Sequence, residues 1–277
     1  MALFTLVSAS GSPGVTTTAV GLALTWPRPV VLVEADPTGS SGILAGFFRG
    51  VKDHVGLVDL VMAHRSGLLA EALPRMVMEV PGTEVSILVG SKSHEQAGGL
   101  ARLWEPLVGV LRDIAADGQD VIVDAGRMGL AGWPAPLVSH ADVTVLAARS
   151  SLPALVAARS WASSLAADVL PGHAAGVALV GAGRPYQPRE VLRTLGLPVL
   201  GAVTWDPRRA AVYSEGADRP MPRFGGPVSA RRAFERSAYV TSLRTLGDSM
   251  RSASSQVSKD PFLRGLLAAQ IGEETNR

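Results

Sequence analysis

The stretch SASGSPGVTTT, residues 8–18, decides the fold that this sequence predicts. It follows the apolar run Leu3–Val7, which is typical of a buried strand, and leads into Ala19–Leu24, which is typical of a helix start. A glycine-bearing loop between a strand and a helix lets unpaired N–H groups converge on one anion. The sequence therefore predicts a phosphate-binding loop. Its candidate phosphate-contacting residues are Gly11, Ser12, Pro13, Gly14, Val15, Thr16 and Thr17.

The loop resembles that of the ParA/MinD group of deviant P-loop ATPases, which has the form Lys-Gly-Gly-x-Gly-Lys-Thr-Thr. Thr16 and Thr17 match the two threonines, whereas Ser10 stands at the first lysine position and Val15 at the second. A shift of register restores neither lysine, because the first lysine of the chain is Lys52. The resemblance therefore implies that this loop keeps the layout of the family but has lost both of its lysines.

Two further segments carry the resemblance, which covers most of residues 1–250. Residues 30–37, VVLVEADP, are similar to the second strand of the family and its Asp-Pro signature, and Val121–Asp124 is similar to the Walker-B strand. The resemblance implies that Thr16 and Asp124 hold Mg²⁺, that Asp36 positions the attacking water, and that ATP is the cofactor. From the residues alone, two alternatives remain: Asp36 forms a turn, and Asp124 caps the end of its strand.

Strand-like runs alternate with helical ones along the whole chain. This alternation predicts a doubly wound, mainly parallel α/β sheet with helices on both faces. We expect a long helix over Gln96–Ala116 and another from Ser229 to Met250. Ligands of such sheets bind beyond the carboxyl ends of the strands, where the loop, Asp36 and Asp124 all fall.

Loss of the lysines predicts little or no hydrolysis, since phosphoryl transfer needs cations near the β- and γ-phosphates. We also expect Val15 to place an apolar branch at the mouth of the loop. Arg127, three residues after Asp124, either reaches a phosphate in compensation or is simply solvated. A vestigial loop that binds nothing remains an alternative.

The base side of the site is altered as well. The resemblance implies an Asn after the sixth strand, but residues 180–184 read VGAGR. Residues 205–207, Trp-Asp-Pro, resemble the base-side loop of the family, although a strand end followed by a helix cap has the same pattern.

Composition excludes several kinds of site. The chain has 26 basic and 24 acidic residues, so net charge alone requires neither a nucleic acid nor a membrane partner. It has no cysteine, which excludes disulfides, thiolate metal sites and cysteine nucleophiles. Neither a signal-peptide pattern nor an apolar run of the roughly 20 residues that span a bilayer is found. We therefore expect a cytoplasmic protein.

Three segments in the C-terminal part of the chain bear on partner binding and on where the domain ends. Seven arginines between Arg208 and Arg236 make DNA binding one interpretation and an ordinary solvated face the other. The domain is expected to end at residue 250, followed by a flexible Ser-rich linker over Arg251–Asp260. Residues 261–277 predict a short amphipathic helix and tail, whose apolar face at 261–271 docks on a protein partner, on its own domain or on a membrane.

Three functions fit these features. The first is a degenerate ParA/MinD-like nucleotide-binding protein or pseudo-ATPase that acts as a positioning or assembly factor, similar to the CpaE/TadZ proteins of pilus assembly. The second is an active ParA-type partition ATPase that binds DNA non-specifically. The third is a ligand-free interaction scaffold. For the first, a protein partner and a homodimer are expected.

Overall fold

The computed structural model of the protein describes residues 1–50, 54–168, 173–221 and 226–259. The described residues contain one eight-stranded sheet. Its strands are β1 Leu3–Ser8, β2 Val30–Glu34, β3 Met78–Glu79, β4 Val85–Leu88, β5 Asp120–Arg127, β6 Val143–Arg149, β7 Ala174–Val180 and β8 Val199–Val203. The strand order is β3-β4-β2-β5-β1-β6-β7-β8, and every pair is parallel except β3 with β4. The predicted doubly wound, mainly parallel α/β fold is thus confirmed.

Helices connect the strands in the order that the alternation predicts. They are α1 Val15–Thr25, α2 Leu57–Arg65, α3 Leu69–Met76, α4 His94–Gly99, α5 Trp104–Ala116, α6 Ala135–Ser139, α7 Leu152–Asp168, α8 Pro188–Leu195, α9 Pro207–Ser214, α10 Pro227–Glu235 and α11 Ala238–Lys259. A π-helical turn, Ile43–Phe47, and a 3-10 turn, Leu100–Arg102, complete the described set.

The sheet is buried on both faces, and each strand sends alternate side chains to opposite sides. In β1, Leu3 and Val7 join an apolar cluster under α2, α3 and α5–α8, whereas Phe4 and Leu6 join one under α1 and α9–α11. This two-sided burial explains why the strand runs are continuously apolar rather than alternating.

Two predicted helices are divided in the structure. The single helix expected over Gln96–Ala116 is instead α4, a 3-10 turn and α5, because Gly98 and Gly99 weaken the helix at their position. The helix expected over Ser229–Met250 is divided where Ser237 ends one segment and caps the next, accepting a hydrogen bond from Val240 N–H at 3.3 Å.

The predicted linker over Arg251–Asp260 is wrong within the described residues, because α11 continues to Lys259. Met250 is fully buried, and the Arg251 guanidinium lies 5.9 Å from the centre of the Trp26 ring. The serines that suggested a linker are accommodated on the helix; the Ser255 hydroxyl, for example, donates to the Arg251 carbonyl at 2.9 Å. The domain therefore extends past residue 250, and the predicted amphipathic helix at 261–271 lies outside the described residues.

None of the helices in the described part of the chain is both long and apolar enough to cross a bilayer.

Candidate functional site

The loop after β1 has the backbone geometry of an anion-binding loop. Gly11, Ser12 and Gly14 have φ values of 69°, 43° and 95°, in the left-handed region. Gly14 is the N-cap of α1, and no side chain caps the helix or places an acid in its first turn. Since the first N–H groups of a helix have no acceptor within it, these donors are available to an anion.

Val15 does not stand at the mouth of this loop, contrary to the sequence-based expectation. Its side chain is 6% exposed and belongs to the apolar cluster that α1 forms with the sheet. The half-buried Thr16 and Thr17 follow it, and they line two different cavities on the two sides of the loop. The loop therefore lacks a lysine, but no apolar side chain replaces it in the phosphate position.

A small cavity of about 90 Å³ lies on one side of the loop, and we call it the acidic cavity. The residues that line it are Thr16, Glu34, Asp36, Thr38, Ser40, Ser41, Gly42, Gly90 and Ser91. It contains two carboxyl groups, and no basic side chain is among its described lining residues. Its oxygen-rich lining is suited to a hard cation rather than to a bare anion.

Asp36 forms both the predicted turn and part of this cavity. Its Oδ1 accepts hydrogen bonds from the Thr38 N–H at 2.9 Å and from the Thr38 hydroxyl at 2.7 Å. The carboxyl group also packs against Gly126, where an added Cβ would lie 2.3 Å from Asp36 Cγ. Only glycine fits at residue 126, so β2 and β5 are in tight contact at this rim.

Asp124 is completely buried within β5, at the last residue that pairs with β2. Its Oδ1 accepts a hydrogen bond from the Gly126 N–H at 3.1 Å, and its Oδ2 has no well-aligned partner among the described residues. Burial, together with the Asp36 and Glu34 carboxylates, raises the pKa of Asp124 to about 7, against the effect of the Thr16 hydroxyl and the Gly126 N–H. The three adjacent strands β2, β5 and β1 thus bring Asp36, Asp124 and Thr16 to one rim, as the sequence predicted.

Glu34 is a third carboxyl group of the rim, which the sequence analysis missed. It is 4% exposed and accepts hydrogen bonds from the Ser41 hydroxyl and, at 3.0 Å each, from the N–H groups of Ile43 and Gly90. Burial raises the pKa of Glu34, against the effect of these hydrogen bonds. The signal in the sequence that would have identified Glu34 is an acid within an otherwise apolar strand run.

The rim fits Mg²⁺ only together with another ligand. In the described part of the chain, no three His, Cys, Asp or Glu side chains are arranged to bind a metal. The Thr16 hydroxyl and the Asp36 and Asp124 carboxyl groups are hard oxygen ligands, and Mg²⁺ commonly combines one or two carboxylates with substrate phosphates. The unpartnered oxygens Asp124 Oδ2 and Ser91 Oγ, both buried, are consistent with a ligand at this place.

A second cavity of about 290 Å³ lies on the other side of the loop, and we call it the arginine cavity. The residues that line it are Ser12, Pro13, Gly14, Thr17, Thr18, Arg149, Val180, Val203, Thr204, Trp205, Asp206, Pro207, Ala210, Ser214, Glu215 and Tyr239. Its volume approaches the lower limit of about 300 Å³ for small-molecule pockets.

Arg149 is the second residue that the sequence analysis missed as a site candidate. Its Nη2 donates to the Ser12 carbonyl at 3.3 Å, and its guanidinium lies 5.1 Å from the centre of the Trp205 ring. Arg184 lies 5.7 Å from the same ring centre. Because Arg149 ends β6, the rule that ligands bind at the carboxyl ends of strands was sufficient to identify it.

The other predicted site residues are placed less favourably. Arg127 is exposed and lines neither cavity, and its side chain makes no hydrogen bond or ion pair within the described residues. This placement favours the solvated alternative. Asp206 caps α9, since its Oδ1 accepts from the Arg209 N–H at 3.1 Å, so residues 205–207 form a helix cap that also lines the arginine cavity.

The arginine-rich segment is partly neutralised within its described residues. Arg209 pairs with Asp206, Arg231 pairs with Glu235 at 2.8 Å, and Arg219 lies over Phe234. DNA binding by residues 208–236 stays a prediction.

A larger apolar cavity of about 350 Å³ lies away from the loop, beside Trp133 and Trp161. His173 lines it, and burial lowers the pKa of that imidazole, with the neighbouring Arg112 adding to the effect. Volume alone favours this cavity, but the converging donors and carboxyl groups lie at the loop, which is therefore the candidate site.

No protein-family model matches the sequence, and a search of curated proteins finds no match. Solved structures do match. The chain is similar to MinD, a cell division ATPase, from Pyrococcus furiosus, with a TM-score of 0.68 and 16% identity over 91% of this chain and 99% of that chain. The chain has the ParA/MinD fold.

Two other similar structures lead to the same assignment. MinD from Pyrococcus horikoshii OT3, solved with Mg-ADP, has a TM-score of 0.66 and 17% identity, covering 93% of this chain and 98% of that chain. A ParA family ATPase from Chlorobium tepidum TLS has a TM-score of 0.63 and 17% identity, covering 89% and 97%. At such identities the likeness concerns the fold, and the chemistry of the site follows from the residues of this chain.

Proposed function

We propose that the protein is a degenerate ParA/MinD-like positioning or assembly factor that binds nucleotide and hydrolyses it slowly or not at all. The observation that carries the proposal is the loop itself. It keeps the left-handed backbone and uncapped helix of a phosphate cradle, whereas Ser10 and Val15 stand where the resemblance implies lysines.

Slow hydrolysis follows from the charges around the acidic cavity. Phosphoryl transfer spreads negative charge over the terminal phosphate, and positioned cations stabilise that charge. The described lining of this cavity supplies Glu34 and Asp36 and no basic side chain. Mg²⁺ held by Thr16, Asp124 and the nucleotide would supply charge neutralisation, but it would not replace two lysines.

Nucleotide retention without rapid turnover suits a protein that acts by binding others. The ParA/MinD resemblance implies a protein partner and a homodimer, and the CpaE/TadZ proteins suggest pilus or secretion machinery as the specific assembly. The protein partner, the homodimer and the pilus or secretion machinery are proposals that rest on this resemblance. Nothing in the described residues identifies the partner.

Calorimetric titration with ATP and Mg²⁺, together with a phosphate-release assay, tests the proposal. We expect measurable binding, and phosphate release close to the rate without protein. Sustained release that Asp36→Ala abolishes would contradict slow hydrolysis and support the active partition ATPase. Absence of binding at millimolar ATP and ADP would contradict the nucleotide site and support the ligand-free scaffold.

A further inference from the structure

The two sides of the loop differ in the charged side chains that they present. On one side, the acidic cavity contains Glu34 and Asp36 with no basic side chain among its described lining residues. On the other, the arginine cavity contains Arg149, whose guanidinium bonds to the loop at Ser12. A polyphosphate in the loop therefore has a cation near one end and carboxyl groups near the other.

Each end of a bound nucleotide can be assigned to one of these cavities. The 290 Å³ volume of the arginine cavity offers space for a nucleoside, which the acidic cavity of about 90 Å³ does not, and the Trp205 ring lines the larger cavity next to Arg149. The nucleoside and its first phosphates then lie on the side of Arg149. A third phosphate extends towards Asp36 and the buried Asp124.

From this arrangement we propose that the site prefers a nucleoside diphosphate to a triphosphate, and that Arg149 is the cation that binds the diphosphate in place of the missing loop lysines. The inference rests on the proposed nucleotide site. A guanidinium forms bidentate hydrogen bonds to phosphate oxygens. Arg149 is already held within reach of the loop by the Ser12 carbonyl and the Trp205 ring.

Two acids are also among the described residues that line the arginine cavity, but neither forms an ion pair with Arg149. Asp206 is engaged by the Arg209 side chain and by the N-terminus of α9. Glu215 lies at the opposite, C-terminal end of α9. Of the described residues that line this cavity, Arg149 is the basic one, and it contacts the loop directly.

The deciding experiment is calorimetric titration of the full chain with ADP and with ATP, in EDTA and then with excess Mg²⁺. In EDTA we expect ADP to bind at least about tenfold more tightly than ATP, because the third phosphate approaches the Asp36 carboxylate and no basic side chain is among the described residues that line the acidic cavity. Mg²⁺ should strengthen ATP binding more than ADP binding. Equal or tighter ATP binding in EDTA would overturn the preference while leaving the nucleotide site intact.

Arg149→Gln tests the assignment of the cation, with Arg127→Gln as the matched control on the same rim. Loss of a charged hydrogen bond predicts that Arg149→Gln weakens ADP binding by about tenfold or more, whereas Arg127→Gln leaves it within about threefold. Thermal melts establish that both variants fold. An unchanged affinity for folded Arg149→Gln would overturn the assignment, and a failure of the unaltered protein to bind ADP or ATP would overturn the nucleotide site as well.

Discussion

Replacing Asp124 with Asn tests the electrostatics of the rim in the absence of any ligand. The carboxyl group is completely buried and its Oδ2 has no well-aligned partner among the described residues. Burial, reinforced by Asp36 and Glu34, raises the pKa of Asp124 from 3.8 to about 7. Asn keeps the acceptor for the Gly126 N–H and has nearly the same shape, but it does not ionise.

The size and sign of the effect follow from proton linkage. Between about pH 4 and pH 7 the folded protein holds a proton that the unfolded chain has released, so its stability falls as pH rises through this window. From 3.8 to about 7, at about 1.4 kcal/mol per pH unit, the total loss is about 4 kcal/mol. About 2–3 kcal/mol of this falls between pH 5 and pH 8.

Asp124→Asn does not lose this stability, because Asn does not ionise. The stability of the variant relative to the unaltered protein should therefore increase as pH rises. At about 2 °C per kcal/mol for a domain of this size, the difference in Tm should grow by about 5 °C between pH 5 and pH 8. Differential scanning calorimetry in EDTA at several pH values measures it. Asp113→Asn, which alters an exposed carboxylate on α5, is the control. A difference that stays constant, or that shrinks towards pH 8, would show that Asp124 is already ionised in the folded protein at pH 5.

Three further predictions concern packing and the loop. Met250→Ala should cost about 2–5 kcal/mol in urea unfolding, since this side chain of α11 is fully buried in the apolar cluster; a cost below 1 kcal/mol would contradict that packing. Gly126→Ala should cost about 1–3 kcal/mol more than Gly118→Ala by the same assay, because both have positive φ but only at residue 126 would the added Cβ collide with Asp36. Val15→Lys should lower the Tm, because it removes a buried apolar side chain, yet strengthen ATP binding in calorimetry, because a long lysine stem can lie along apolar surface while its ammonium reaches out to the loop; unchanged affinity would show that the side chain of residue 15 does not reach phosphate.

The fold and most of the rim were predictable from sequence because they depend on local order along the chain. Apolar runs such as Val30–Glu34 and Val121–Asp124 mark parallel strands, and parallel strands deliver whatever follows them to one edge. Asp36, Asp124 and the loop were therefore placed together without knowledge of their contacts. Which donors surround Glu34, or whether Arg127 reaches the cavities, depends on loop conformations that no periodicity encodes.

The errors have physical causes of the same kind. The serines of residues 251–260 suggested a linker, but tertiary packing of α11, with Met250 buried and Arg251 over the Trp26 ring, outweighs their low helix propensity. Arg149 was not considered as a site residue, although it lies where β6 ends at the loop and bonds to Ser12. In both cases the decisive contact is made with a residue far away in the chain.

Unsatisfied polar groups and a strained backbone at the rim lower the stability of the folded protein, which is an argument that the loop binds a ligand. Among the described residues, five buried side-chain atoms lack a well-aligned hydrogen-bond partner, and two of them, Asp124 Oδ2 and Ser91 Oγ, lie beside the loop. Each unsatisfied group costs about 1–3 kcal/mol, and left-handed Ser12 adds strain. A ligand that satisfied these groups would bind the folded state alone and stabilise it according to its concentration. ADP that binds only the folded state should raise the Tm at saturation, and the rise should shrink in Arg149→Gln if the diphosphate lies beside that guanidinium. An equal rise in the unaltered protein and in Arg149→Gln would show that ADP binds away from Arg149.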